Sequence, residues 1–161
     1  MTSRTVTLRP VSDPDRPFLF ELFASTREAE MQLVPWTGEQ KQAFLEMQFA
    51  AQLQSYAATH PQASHDVICL DGQKAGRLYL NRSEEGFHIL DITVAPNLRN
   101  GGIGSEVLRE ILKEADQRAA PVSIYVETFN PSVRLFERLG FQSASVNGFQ
   151  VLMRRPPVAS A

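Results

Sequence analysis

The chain has 161 residues, of which 43% are hydrophobic and 21% are charged, and its formal net charge is -2 at pH 7. A chain of this size and composition can bury a core without help, so we expect one domain over residues 1–155 and a frayed tail over residues 156–161. The balanced charge gives no long-range attraction to nucleic acid or to an anionic membrane surface, so the sequence predicts neither as a partner.

The first half of the chain predicts four strands and two helices. Residues 5–9 alternate as a half-buried strand does. A short helix begins near Asp13 and Pro14 and runs to Thr26, and two apolar stripes indicate a longer helix over residues 39–58. Turn signals at Asp71-Gly72 and Glu85-Gly86 predict that the next three strands form an antiparallel meander. Those strands cover residues 66–70, 74–80 and 87–94.

The second half begins with the clearest helix of the sequence, which opens at Gly102 and has one continuous apolar face. A buried strand over residues 122–126 follows, so strand, helix and strand form a crossover unit with a parallel or splayed pair. Asn130-Pro131 caps another helix that ends at Gly140. Two last strands, over residues 141–146 and 149–154, join across Asn147-Gly148.

The sequence pattern predicts neither a targeting signal nor a metal site. Met1 to Arg9 lacks the apolar stretch of a signal peptide, and no later segment is long enough to span a bilayer, so we expect a cytoplasmic protein without membrane partners. Cys69 lies in an apolar run that is typical of a buried residue. The three histidines lack ligand spacing, so no metal site is predicted.

A glycine-rich loop between a strand and a helix is the first candidate site. In Arg99-Asn100-Gly101-Gly102-Ile103-Gly104, free backbone N–H groups converge with the positive end of the helix dipole. Small residues let phosphate oxygens approach the amides, and Arg99 adds a charged donor. The pattern therefore predicts a pyrophosphate site.

Three kinds of phosphate site use a glycine-rich loop of this type. A P-loop needs Gly-Lys-Ser/Thr, and this loop has no lysine. A Rossmann fingerprint needs a glycine where Val107 stands and opens a parallel sheet, although Glu127 lies at the distance expected of its ribose-binding acid. Nicotinamide binding therefore stays a minor alternative to the third kind of site.

Two sequence blocks indicate the third kind of site. The run from Asp91 to Gly104 resembles the strand and the Arg/Gln-x-x-Gly-x-Gly/Ala loop of the GNAT (Gcn5-related N-acetyltransferase) family. The block from Asn130 to Phe141 is similar to the second cofactor motif of that family. The resemblance implies an α+β, three-layer fold with a mixed, mostly antiparallel sheet, helices on both faces and a splayed parallel strand pair.

The resemblance also implies an acetyltransferase that moves the acetyl group of acetyl-CoA directly to a primary amine of a small molecule, an amino acid or a peptide end. The backbone N–H near Val94 would stabilise the oxyanion. Homodimers are common in the family, so a second copy of this chain is a possible partner. The cofactor-binding residues implied are Ile92, Thr93, Val94, Arg99, Asn100, Gly101, Gly102, Ile103, Gly104, Ser105, Asn130 and Phe136.

One position departs from the family pattern. Many members have a tyrosine where this chain has Phe136, and that hydroxyl is thought to protonate the leaving thiolate. The spacing from Asn130 to Phe136 is also one residue shorter than in the commonest pattern. A non-catalytic, acyl-CoA-binding regulatory module therefore stays open as an alternative function.

The remaining candidates concern the proton and the acceptor. Asp91 is the first candidate for the general base, and Glu127, at the end of the next strand, is the second. The acceptor is expected to enter beside the first two helices. The residues expected on that side are Glu28, Trp36, Gln48, Gln52 and Tyr56.

Overall fold

The computed structural model describes residues 4–128 and 130–159, and this part of the chain contains seven strands and five α-helices. The strands are β1 (Val6–Pro10), β2 (Ser64–Leu70), β3 (Gln73–Ser83), β4 (Gly86–Val94), β5 (Val122–Glu127), β6 (Gln142–Asn147) and β7 (Gln150–Arg155). The helices are α1 (Arg16–Thr26), α2 (Glu28–Gln32), α3 (Gly38–Thr59), α4 (Ile103–Gln117) and α5 (Ser132–Arg138). The first three residues of the predicted domain and the last two of the predicted tail lie outside the described residues.

The strands form one mixed sheet in the order β1-β2-β3-β4-β5-β7-β6. Neighbouring strands are antiparallel throughout, with the exception of β4 and β5, which are parallel. A parallel pair needs a long crossover connection, and α4 provides it. The structure confirms the predicted meander and the mixed, mostly antiparallel sheet.

Helices cover both faces of the sheet. Between α1, α3 and one face lies a cluster of buried side chains, namely Leu19, Leu22, Phe23, Leu45 and Phe49. On the other face, α4 and α5 pack on a larger core that contains Val107, Ile111 and Phe136. The apolar face predicted for α4 is the buried one. The three-layer arrangement is therefore confirmed.

The parallel pair separates part of the way along its length. β4 and β5 are paired from Phe87 with Val122 to Ile89 with Ile124, and no further. At the point of separation Leu90 is an extra residue in β4, because Tyr79 pairs with Asp91 while Leu80 pairs with Ile89. Such a bulge bends the strand that carries it. The ends of β4 and β5 thus form the two walls of a gap.

The structure differs from the predicted elements in three places. α2 is a five-residue helix that the sequence did not predict, because such a short helix shows no periodic pattern. The predicted first helix starts as a 3₁₀ turn over Asp13–Asp15 before α1 begins. The last hairpin turns at Gly148 and Phe149, one residue later than predicted.

The segment after β7 is held to α4. Arg155 binds the Asp116 carboxylate at 2.8 and 3.1 Å, and the Val158 N–H donates to the same group at 2.9 Å. These contacts join the segment to α4 as far as Val158, where the sequence predicts a frayed tail from residue 156. None of the helices within residues 4–128 and 130–159 has both the length and the apolar character that crossing a bilayer requires.

A buried carboxylate fixes the start of α1 on the sheet. Asp15 is 1% exposed, accepts two 2.8 Å hydrogen bonds from Arg9 of β1, and lies 2.9 Å from the ammonium of Lys74 in β3. The Ser12 backbone N–H donates to it at 2.8 Å. The hydrogen bonds from Arg9 and then Lys74 hold the pKa of Asp15 far below its usual range, because they stabilise the ionised form.

Asp15→Asn should lower the melting temperature most at neutral pH. Because the folded-state pKa lies below the unfolded value of about 3.9, the carboxylate contributes stability above about pH 4 and loses that contribution as the pH falls further. Thermal melts from pH 7 to about pH 2 should show the gap between parent and variant narrowing below about pH 4. Asp13→Asn, at an exposed position of the same turn, is the matched control. Equal losses in both variants would contradict the assignment.

Candidate functional site

Two cavities meet in the gap between β4 and β5. The loop cavity, of about 720 Å³, lies over the glycine loop, the end of β4 and α5. The gap cavity, of about 500 Å³, lies between the separated ends of β4 and β5 and reaches α3. Five residues line both cavities, namely Thr26, Ile92, Thr93, Asn130 and Ser132. A ligand can therefore extend from one cavity into the other.

The glycine loop forms one wall of the loop cavity. Asn100 and Gly102 have positive φ values of 67° and 83°, and Gly102 immediately precedes α4. This left-handed geometry favours glycine and turns the loop so that the start of α4 faces the cavity. The predicted residues Asn100, Gly102, Ile103, Gly104 and Ser105 all line the cavity. Gly101 does not line it.

The charged residues that line the loop cavity are all positive. Arg99, Arg134 and Arg138 line it, and the lining given by the described residues contains no Asp or Glu. Arg134 and Arg138 are four residues apart on α5 and therefore lie on the same helix face. A group with several negative charges fits this cavity better than a neutral one does.

Two arginines hold the loop in place. The Arg99 guanidinium donates to the Val94 carbonyl at 3.0 Å and to Ser25 Oγ of α1 at 3.3 Å, so this side chain links β4 to α1. Arg4, just before β1, donates to the Gly101 carbonyl and contacts Glu106 at 3.3 Å. The sequence suggested only a phosphate contact for Arg99, and Arg4 gave no sequence signal.

The backbone at the end of β4 faces the gap. The Ala95 N–H donates to the Ala75 carbonyl at 2.8 Å, and Val94 is the partner of Gly76. In an antiparallel ladder this makes Val94 and Gly76 a non-hydrogen-bonded pair, so the Val94 N–H points away from β3. Gly76 is required here, because a Cβ atom would collide with the Thr93 carbonyl. The sequence gave no signal for that role.

Asp91 is already held by other side chains. Arg77 Nε and Nη2 lie 2.7 and 2.6 Å from Asp91 Oδ2, and Thr93 Oγ1 lies 3.1 Å from both carboxylate oxygens. Arg77 is 2% exposed and also donates to Gln52 Oε1 at 2.8 Å. The first candidate for the base therefore lies in the gap cavity, but it is ion-paired with a buried arginine.

Glu127 lines the same cavity from the opposite strand. Its carboxylate has no side-chain hydrogen bond or ion pair within residues 4–128 and 130–159, and the residue is half-buried. Tyr56 lies on the α3 side, where its hydroxyl donates to the Leu90 carbonyl at 3.1 Å. Burial, followed by the charge of Asp91, raises the pKa of Tyr56 to about 12, so this phenol stays protonated.

The second sequence motif contributes to both cavities. Asn130 Oδ1 accepts hydrogen bonds from the backbone N–H and the hydroxyl of Ser132, at 2.9 and 2.8 Å, so it caps α5 and leaves its amide hydrogens free of that role. Phe136 is 4% exposed and packs edge-on against Phe141 at 5.3 Å between ring centroids. It lines the gap cavity and does not line the loop cavity.

The residues predicted on the acceptor side do not all come together. Gln52 and Tyr56 line the gap cavity. Glu28 lines a separate cavity of about 910 Å³ between α1, α2 and α3, which we call the helix cavity. Gln48 and Trp36 line none of these three cavities, and Trp36 packs edge-on against Phe44. Of the three residues predicted to share one face of α3, two therefore line the gap cavity.

Several residues of the gap cavity are not among those predicted from the sequence. Arg27 and His88 line it, and Arg77 is ion-paired with Asp91 in its lining. Burial, and then the nearby His60, lowers the pKa of His88, so its imidazole is neutral at pH 7. A charged residue in the apolar run of β3 was the one available signal for Arg77. Among the described residues, no group of three His, Cys, Asp or Glu side chains is placed to hold a metal.

Solved acetyltransferases share this fold. The PaiA N-acetyltransferase from Thermoplasma acidophilum, solved in complex with coenzyme A, matches with a TM-score of 0.71 and 15% identity over 94% of this chain and 99% of that one. The ribosomal-protein-S18-alanine N-acetyltransferase from Escherichia coli matches with a TM-score of 0.64 and 17% identity, over 98% of this chain and 96% of that one. An acetyltransferase from Thermus thermophilus matches with a TM-score of 0.67 and 19% identity, over 94% of this chain and 97% of that one. Such low identities show the fold alone.

Sequence comparison supplies the family. No curated relative matches the chain in sequence. The model of the acetyltransferase (GNAT) family matches residues 19–141, which include every residue of the loop cavity. The cosubstrate of that family is acetyl-CoA. Since the match covers more than half of the 161 residues and agrees with the fold, the chain belongs to the GNAT acetyltransferase family.

Proposed function

We propose that the protein transfers the acetyl group of acetyl-CoA directly to a primary amine. The observation that carries the proposal is the meeting of two unlike cavities beside the exposed backbone of β4. The loop cavity is lined by three arginines, and the gap cavity contains the open carboxylate of Glu127 beside the Asp91–Arg77 ion pair. The first suits a polyanionic cosubstrate and the second a basic acceptor.

The residues of the loop cavity fit coenzyme A. Free N–H groups at the start of α4, beside the left-handed Gly102, suit the pyrophosphate. We assign the pantetheine arm to the junction of the two cavities, beside the backbone of Ile92 to Val94 and the side-chain amide of Asn130. Arg134 and Arg138 add positive charge on the α5 side. Acetyl-CoA supplies an activated thioester, so no covalent intermediate on the enzyme is needed.

Stabilisation of the tetrahedral oxyanion is assigned to the Val94 N–H. This donor points into the gap and belongs to a strand that is fixed on its other side by β3. A rigid donor aimed at developing negative charge lowers the barrier without reorganisation, and one such donor typically contributes about 3 kcal/mol.

Glu127 is the better-placed candidate to collect the proton of the acceptor amine. Its carboxylate is unengaged among the described residues, whereas both oxygens of Asp91 accept hydrogen bonds. A general base needs a free lone pair within reach of the proton, directly or through one water molecule. We therefore assign the base to Glu127 and assign Asp91 to holding Arg77 and the wall of the cavity.

The leaving thiolate needs no protein acid. Phe136 has no hydroxyl, and a free thiol has a pKa of about 8.5, so thiolate is a tolerable leaving group near neutral pH. The same phenyl ring is the one feature that favours the competing function, a non-catalytic acyl-CoA-binding module. Release of free CoA thiol from acetyl-CoA on addition of amines distinguishes the two functions. Binding without amine-dependent release would support the module.

Gly104→Val should abolish the rise in melting temperature that acetyl-CoA causes. A ligand that binds only the folded state stabilises it by mass action, and the isopropyl group would occupy the loop cavity. The fold should survive, since a Cβ at this position meets only a Val94 methyl at 3.7 Å. Melts with and without acetyl-CoA measure the effect, and NAD should give no rise with the parent.

Gly38→Val is the matched control for this experiment. Gly38 also lies in the first turn of a helix, and a Cβ there meets no atom within 4 Å. This variant should keep the full acetyl-CoA shift. A folded Gly104→Val protein with an unchanged shift would exclude the loop as the cosubstrate site.

Glu127→Gln should lower kcat by on the order of 10² to 10⁴ and should remove the acidic limb of the kcat pH profile, because the amide cannot accept a proton. Its acetyl-CoA shift should be unchanged. Asp91→Asn should instead lower the melting temperature, because the buried Arg77 would lose its charged partner. If Asp91→Asn removes the acidic limb and Glu127→Gln does not, the base is Asp91.

Phe136→Tyr should give a kcat at least as high as that of the parent, because the added hydroxyl would face the departing thiolate from the gap cavity. Phe136→Ala should weaken acetyl-CoA binding, but it also removes a core contact with Phe141, at a cost of about 3–5 kcal/mol of stability. Steady-state kinetics with circular dichroism measure both variants. A folded Phe136→Tyr protein with strongly reduced kcat would place the ring away from the thioester.

A further inference from the structure

Arg27 occupies the junction between two helices and faces the gap cavity. It follows the last residue of α1 and precedes α2, and its backbone N–H donates to the Ala24 carbonyl at 3.0 Å. Its guanidinium carbon lies 5.2 Å from the centre of the Phe23 ring, which supports the group from one side. Because the side chain is 32% exposed and lines the cavity, a ligand in the cavity can reach it.

The hydrogen-bonding capacity of Arg27 is not used up within the described chain. Its Nε is buried and has no hydrogen-bond partner among residues 4–128 and 130–159. Its contact with Glu30 is 3.6 Å long, beyond hydrogen-bond length, and the Glu30 side chain is 58% exposed. Since Nε is buried while the side chain is 32% exposed, the part of the group that a ligand can reach is the terminal nitrogens. The guanidinium fork is suited to an anion with two oxygens.

The other charges of the cavity leave Arg27 and Glu127 as a complementary pair of open groups. Asp91 is neutralised by Arg77 at 2.6 Å. Gln52 turns its oxygen to Arg77, so its amide hydrogens stay available as further donors. Donors therefore come from the helical side and the open carboxylate comes from β5. A ligand with both a positive and a negative group matches this arrangement, whereas a second ammonium near Arg27 is repelled.

We propose that Arg27 binds a carboxylate carried by the acceptor itself, so that the preferred acceptors are amino acids rather than diamines or polyamines. This inference rests on the proposed acetyl transfer, and it assigns Arg27 to specificity. The amine of such an acceptor lies toward Glu127, and its carboxylate lies toward the α1–α2 junction. Arg27 takes no part in the bond-making step.

The test compares acceptors that differ only in the carboxylate. Phenylalanine with phenethylamine, and lysine with cadaverine, are two such pairs, and phenylalanine amide replaces the charge by a neutral carbonyl group. With the parent, kcat/KM should favour each amino acid over its decarboxylated partner by about ten- to a hundredfold. The amide should behave like the amine. An amide that is used as well as the acid would overturn the inference, because the carboxylate charge would then not be read.

Arg27→Gln should remove that preference by raising KM for the amino acids, with the kinetics of the amines unchanged or improved. Arg27→Lys should keep part of it, because a charge remains without the fork. Arg16→Gln is the matched control, since Arg16 lies at the other end of α1 and lines the helix cavity. Equal losses for both members of a pair in Arg27→Gln would show a merely structural role.

The outcome can be separated from that of the proposed function. The acetyl-CoA shift in melting temperature should be the same in the parent and in Arg27→Gln. If the parent acetylates amines without regard to the carboxylate, the inference fails and the acetyl transfer stands. If the parent binds acetyl-CoA but releases no CoA thiol with any acceptor, the proposed function fails, and the inference fails with it.

Discussion

The separation of β4 from β5 is the constraint on which the site depends. A parallel ladder that continued to Val94 would bury the strand ends and satisfy their backbone groups with each other. The bulge at Leu90 ends that ladder after Ile89, and the Val94 N–H is left facing a gap. The divergence is stable because other bonds hold β4, namely its pairing with β3 and the hydrogen bond from Tyr56 to the bulged carbonyl. The proposed oxyanion donor thus lies on a strand edge inside the molecule.

Arginine side chains divide into those that hold the fold and those that face the cavities. Arg77, Arg82 and Arg155 are paired with Asp91, Glu114 and Asp116 at 2.6 to 2.8 Å, and each pair connects two different elements of the fold. By contrast, Arg134 and Arg138 form no ion pair within the described residues and line the loop cavity. Fixed pairs are part of the framework, whereas open cations are available to a ligand. A net charge close to zero hides this local separation.

The helical layer over the gap cavity is connected to the glycine loop. Arg99 reaches from the end of β4 to Ser25 in the last turn of α1, only two residues before Arg27. Asp15 fixes the other end of the same helix to β1 and β3. The position of α1 is therefore set from both ends by polar contacts with the sheet.

The sequence by itself determined the strand order of the meander, the amphipathic α4 and the glycine loop, because each depends on contiguous residues and local backbone preference. Gly102 with φ of 83° is such a position. Only the tertiary structure decided that Asp91 pairs with Arg77, that Glu28 faces the helix cavity and that Arg27 faces the gap. Those facts follow from how separate helices pack on the sheet. Helical periodicity says which residues share a face, but it does not say what lies opposite that face.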